Sequence, residues 1–252
     1  MKKRSYEELV QEALAQEFSG WDFSWMKGRY YESDPYWNYR DLVIERMKKV
    51  SSMLDMGTGG GEFLASLPDL PKLTCATESY PPNIPIATQK LEPLGVKVFP
   101  IMDDHALPFI DEQFDLVINR HESYDVTEVW RILKPGGIFL TQQVGPRNCV
   151  ELNQYLGARL MADVRNWTLS QEEETFERVG FSVLQSQEQI LDSRYFDIGA
   201  VVFYLKVIEW QIEDFSVDKY EKRLREMHHL IQQQEAFYAT EHRFLIEVKK
   251  HY

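Results

Sequence analysis

Four glycines in five positions, Gly57, Gly59, Gly60 and Gly61 of the stretch LDMGTGGGEF, follow directly on a short apolar run that contains Asp55. A helix or strand interior does not keep that much backbone freedom, so the stretch is a turn and the run before it, SSMLDMG, a buried strand. From this turn onward, strand-like and helix-like segments alternate: KLTCATE, IPIATQKLEPL, VKVFPI, FDLVIN, VTEVWRIL and, after the turn KPGG, IFLTQQV. Strands separated by helical segments close through right-handed crossovers into a mostly parallel sheet with both faces covered. In such a sheet the glycine turn lies at the carboxyl edge, where its backbone can approach a ligand closely.

The flanks add helices. Ser5 to Phe18 reads as a helix, with Ser5 as N-cap and Glu8 completing a capping box. An aromatic loop with eight aromatic side chains between Trp21 and Tyr39 leads into a second helix over 36–49. Beyond the alternating core, CVELNQYLGARLM and SQEEETFERV read as helices and GFSVLQSQEQIL as a strand. Two further helices precede a last strand, HRFLIEVKK. The expected architecture is α/β: a doubly wound, mostly parallel, Rossmann-like sheet of seven strands with the last antiparallel. It carries an N-terminal helical and aromatic lid segment over 1–50, a main domain over 51–252 and a helical insertion over 192–240.

Composition narrows the partners. The 40 acidic residues against 28 Lys and Arg leave a formal charge of -12, a surface that repels phosphate backbones and argues against nucleic acid. Cys75 and Cys149 stand in different segments without metal-binding or redox spacing, as expected of packing residues in a reducing compartment. His228 and His229 sit side by side on a charged helix, where they read as surface residues, and no acid and histidine cluster has ligand spacing, so no metal is expected. No apolar run approaches the ~20 residues that span a bilayer, and the N-terminus lacks a secretory pattern, so the expectation is a soluble cytoplasmic protein without membrane contact.

The glycine turn does not suit a dinucleotide. That fingerprint needs glycine three positions after Gly59, where Glu62 stands, and the carboxylates of Asp55 and Glu62 would repel a pyrophosphate. They would welcome a ligand that carries an ammonium and a sulfonium. LDMGTGGGEFL, TESY, MDDHALPF, FDLVINR and RILKPGGIFLTQQ, in this order between Ser51 and Val144, resemble the successive motifs of class I S-adenosylmethionine-dependent methyltransferases. The resemblance implies that S-adenosylmethionine is the cofactor. It implies that Asp55, Gly57, Thr58, Gly59 and Gly61 hold its methionine end, and that Glu78, with Ser79 beside it, takes the ribose hydroxyls. Asp103 would take the adenine amino group, Asp104 would contribute through its backbone, and Asn119 would line the methionine pocket.

Methyl transfer from a sulfonium is an in-line displacement and needs a base only when the acceptor must lose a proton. NRHESYD, after the fourth strand, offers His121, Glu122 and Tyr124; His121 is the first candidate because an imidazole titrates near neutrality, with Tyr124 second. Arg120 could clamp an acidic substrate group or pair with a neighbouring acid. The fourth strand is not followed by Asp/Asn-Pro-Pro-Tyr and no Pro-Cys pair occurs, so the amino-group and cytosine methylase patterns are missing. The expected activity is methyl transfer to a small-molecule acceptor. An RNA or protein methyltransferase and a non-catalytic S-adenosylmethionine-binding module are the alternatives.

Overall fold

In the computed structural model, which describes residues 4–160 and 167–251, eight strands form one sheet in the order β1-β7-β8-β6-β5-β2-β3-β4. The strands are β1 (Tyr30–Glu32), β2 (Ser52–Met56), β3 (Leu73–Glu78), β4 (Lys97–Pro100), β5 (Phe114–Arg120), β6 (Leu133–Val144), β7 (Phe181–Tyr195) and β8 (Phe237–Lys250). β2 to β6 pair in parallel, and β8 runs antiparallel to both β6 and β7. The seven expected strands are present, with the last one antiparallel. The eighth is the three-residue β1, which pairs with the far end of β7 through Tyr30↔Tyr195 and Glu32↔Ser193. Its YYE sequence carries no alternation to mark it.

Two helical layers flank the sheet. On one face α2 (Tyr39–Met47), α3 (Glu62–Ala65) and α4 (Asn83–Leu91) pack Tyr39, Val43, Leu64, Ala87 and Leu91 onto Met53, Ala76, Leu116 and Ile118. On the other, α5 (Val126–Ile132) and α7 (Leu169–Val179) set Val129, Ile132 and Phe176 against Leu54, Val117, Phe139 and Val248. Each strand thus divides its alternate side chains between two cores, the pattern that burial of a parallel sheet on both faces demands.

β7 and β8 outrun the rest of the sheet, and their excess length supports a third core. There α1 (Tyr6–Ala15), α6 (Val150–Leu156), α8 (Ile198–Val207) and α9 (Val217–Gln234) gather Leu9, Leu152, Phe203, Leu224 and Met227 around Tyr195 and Phe237. α8 is apolar nearly all round, IGAVVFYLKV, and is accordingly buried on almost every side. Arg29 forks onto Asp197, the N-cap of α8, with two contacts of 2.8 Å, and so ties the N-terminal segment to the insertion. His228 differs from its expected surface position: it is buried, edge-on to Tyr6 and bonded to Gln232, while its neighbour His229 is exposed. The expected helix CVELNQYLGARLM ends at Leu156, and its last residue lies outside the described residues.

Candidate active site

The glycine turn leaves β2 and enters α3 at the carboxyl edge of the sheet. Gly57 and Gly59 have φ of 69° and 61°, the left-handed region. A Cβ on Gly57 would lie 2.3 Å from Glu122 Cγ, and one on Gly59 would lie 2.5 Å from Trp21 Cδ1. Both glycines are therefore required by conformation and by close approach. Gly61 serves packing instead: a Cβ there would meet Leu91 of α4 at 2.9 Å.

Carboxyl groups surround the turn. Asp55, 5% exposed, accepts the Thr58 hydroxyl at 2.7 Å. Burial pushes its carboxyl up to about 7 against the pull of Thr58 and of the Arg120 charge, with Glu78 adding to the rise. Glu78, the last residue of β3, accepts the Tyr80 amide at 2.8 Å, and burial raises it too. Burial, then the charges of Glu78 and Asp104, push Glu122 up to about 7. Carboxyl groups raised first by burial, and for Asp55 and Glu122 also by neighbouring acids, fit a ligand that brings positive charge, such as an ammonium and a sulfonium. Glu62 takes no part, since it forms an ion pair with Lys90 of α4.

Ser79, Asp103, Asp104, Glu122 and Ser123 meet around a cavity of about 460 Å³. Asp103 accepts the His105 amide at 2.9 Å and Asp104 accepts the Ser123 hydroxyl at 2.5 Å, which fixes the loop after β4. The glycine turn after β2, Glu78 at the end of β3 and Asp103 after β4 thus follow one another along the sheet edge.

Three expected positions fall elsewhere. Asn119 is fully buried, its carboxamide engaged with Met56 O, Ser123 O, Thr141 and Gln143, so it braces β2, β5 and β6 and does not line a pocket with its side chain. Tyr124 is buried against Phe139, Trp167 and Phe176, and its hydroxyl donates to Glu172 at 2.6 Å. Burial and Glu172 raise that phenol well above its usual range, so it does not serve as a base. His121, at φ 60°, has its Nε2 3.1 Å from the Gln142 amide nitrogen, while the Gln142 amide oxygen accepts the Trp37 indole N–H at 2.8 Å. The indole orients the amide, the amide donates to Nε2, and the neutral ring carries its proton on Nδ1. The residue keeps an exposed face, yet crowding about the ring, with Arg243 and Arg120, holds the imidazole well below its ordinary value. As arranged, His121 has no free nitrogen with which to take a proton.

Glu122 was one of three acids and bases in its stretch, and nothing in the sequence set it against Gly57. Trp37 and Gln142 gave a weaker signal still: two adjacent amides closing an apolar strand, and one tryptophan among many aromatics. Above the turn, Trp21 from the N-terminal segment stacks on Phe23 and meets Trp210 from the insertion edge-on at 6.0 Å, while the Gly20 amide donates to Asn83 at 2.9 Å.

This strand order, with an antiparallel strand beyond β6 and a glycine turn flanked by strand-end carboxylates, defines the class I methyltransferase fold. Residues 54–141, about a third of the chain, match the family model described as a methyltransferase domain. Over 98 residues the chain is 36% identical to a fatty-acid O-methyltransferase from Mycolicibacterium smegmatis, a match that covers 36% of this chain and 32% of that protein. The chain thus spans about a third of the length of that curated relative. Among solved structures, a candidate methyltransferase from Bacillus halodurans C-125 is similar at 19% identity with a TM-score of 0.63, covering 85% of this chain and 99% of that one. The cyclase SpnF is similar at 17% identity with a TM-score of 0.57, covering 97% and 93%. These likenesses concern the fold, which hosts more than one chemistry.

Proposed function

We propose that the chain transfers the methyl group of S-adenosylmethionine to a small-molecule acceptor. In this reading residues 1–50 and the insertion 192–240 form a lid over a methyltransferase domain of residues 51–252. The observation that carries the reading is the set of raised carboxyl groups, Asp55, Glu78 and Glu122, around left-handed glycines at the carboxyl edge. Asp55, Thr58, Gly57 and Gly59 would hold the amino-acid end, Glu78 and Ser79 the ribose, and Asp103 and Asp104 the adenine. Glu122 and Trp21 lie against the two glycines and would withdraw as the ligand settles. A small acceptor is supported by the acidic surface and by the name of the Mycolicibacterium relative.

When bound, this cofactor supplies an electrophilic methyl group on a sulfonium. The chain's own task is alignment and exclusion of water, and the aromatic roof at Trp21 and Trp210 supports the latter. Trp37 and Gln142 would hold the His121 ring so that its Nδ1–H can donate to an acceptor. His121→Ala is then expected to slow methylation by about tenfold, well short of the ~10²–10⁴-fold loss of a general base, with the shape of the pH–rate profile retained. Steady-state kinetics on the identified acceptor checks both points.

The raised carboxyl groups give a pH signature. Asp55 and Glu122 stand at about 7 without a cation, and a bound cation favours their ionised forms. Affinity for S-adenosylmethionine should therefore rise with pH between 6 and 8, by up to about tenfold over that range for each carboxyl that must ionise. S-adenosylhomocysteine, without the sulfonium, should show a shallower rise. Because both groups are raised in the folded state, the ligand-free protein should lose stability as pH climbs from about 4 to about 7. Calorimetric titration and thermal melts across this range check the two signs.

The acceptor class is tested by incubating the full chain with methyl-labelled cofactor and a cell extract. Labelled small molecules support the proposal. Labelled RNA or protein would place the acceptor among macromolecules, and binding without transferred label would make the domain a cofactor-binding module.

A further inference from the structure

The site as drawn so far is all acid, yet the amino-acid end of its ligand is a zwitterion. An ammonium and a carboxylate on one carbon need an anion and a cation side by side. Arg120 supplies the cation. It is the last residue of β5, exposed, and among the described residues its guanidinium makes no hydrogen bond or ion pair; it lies over the face of Phe63, 5.0 Å from the ring centroid. Arg46 and Arg243 are committed elsewhere, to Glu247 and Glu241.

Register puts Arg120 beside Asp55. β2 and β5 are neighbours, with Asp55 opposite Ile118 and Met56 opposite Asn119, so Arg120 stands level with Gly57, the first residue of the turn. Side chains alternate along a strand, so Asp55 shares a face with Met53, and Arg120 with Ile118. Met53 and Ile118 belong to one core, under α2 and α3, so both charged groups rise from the same face of adjacent strands at the carboxyl edge. Phe63, on which the guanidinium rests, belongs to the helix that the glycine turn opens into. The charge of Arg120 reaches Asp55, His121 and Tyr39, which places it among the groups of the turn.

We propose that Arg120 is the carboxylate receptor of the site, gripping the α-carboxylate of the bound cofactor while Asp55 takes the ammonium on the same carbon. The inference rests on the reading that the glycine turn holds S-adenosylmethionine. A planar guanidinium with an aromatic face behind it and no internal partner presents its N–H groups to a carboxylate at little cost in ordering. Glu62, next to Phe63, does not compete for it, because its carboxylate is held by Lys90.

The test compares S-adenosylmethionine, S-adenosylhomocysteine and decarboxylated S-adenosylmethionine by calorimetric titration of the full chain, its Arg120→Met variant and its Arg120→Lys variant. Thermal melts establish that the variants are folded. Arg120→Met is expected to weaken the first two ligands by about 10- to 100-fold, to leave the decarboxylated ligand within about twofold, and Arg120→Lys should recover part of the loss. Unchanged affinity for all three ligands in Arg120→Met would overturn the assignment, as would an equal loss for all three. Failure of the unsubstituted chain to bind any of them would overturn the cofactor reading together with this inference.

Discussion

Gly57→Val should abolish detectable cofactor binding, a loss of more than about 100-fold, and lower stability by about 1–3 kcal/mol from the strained backbone alone. Two causes act together. Valine, branched at Cβ, resists the φ of 69° that Gly57 adopts, and its Cβ would lie 2.3 Å from Glu122 Cγ, on the surface that a ligand of the turn must reach. Gly28→Ala is the matched control. Gly28 also has positive φ, 77°, but a Cβ there meets nothing within 4 Å, so alanine should cost strain without affecting the cofactor. Equal losses of ligand affinity in both variants would mean that the turn acts through fold stability and not through contact.

The largest expected loss of stability lies beyond the cofactor. Glu241, 1% exposed, accepts the Tyr30 hydroxyl at 2.6 Å and the Cys149 thiol at 3.1 Å, and pairs with the buried Arg243 at 2.7 Å. Glu241→Gln keeps the shape and removes the charge, which leaves the guanidinium with Glu32 at 3.4 Å as its remaining anionic contact. Breaking one side of such a buried pair costs about 3–5 kcal/mol, which in a chain of this size corresponds to a fall in Tm of roughly 6–20 °C. Adding Arg243→Met to Glu241→Gln should recover part of the loss, because the orphaned charge is removed. A melt of Glu241→Gln within about 1 kcal/mol of the parent would show that this cluster does not hold Tyr30 and Cys149 onto β8.

The sequence made the sheet legible where local pattern and global fold agree. The alternation from Ser51 to Val144, the glycine turn and the strand-end acids Asp55 and Glu78 all fall where the spacing puts them. It was silent where partners are far apart in the chain. Trp37, Gln142 and His121 form one hydrogen-bonded line across separations of 105 and 21 residues, and nothing local to His121 reveals that its Nε2 is taken. Tyr124 and Asn119 sit in motif positions, yet the core claims the first through Glu172 and the interstrand amides claim the second. The full length of β7 and β8 was hidden at their outer ends, where DSRY continues the strand read over GFSVLQSQEQIL and FYATE precedes HRFLIEVKK; these ends carry Tyr195, Phe237 and Ala239 of the third core. Burial of His228 was likewise set by Tyr6, more than two hundred residues away.

The central claim is that the turn between β2 and α3 holds S-adenosylmethionine. Calorimetric titration of the full chain with S-adenosylhomocysteine, alone and after Asp55→Asn, tests it most directly. The account predicts one ligand per chain and a loss of about tenfold or more in the variant, from the charge-assisted bond to the ammonium. Absence of binding in the unsubstituted chain, or binding that Asp55→Asn leaves untouched, would contradict it.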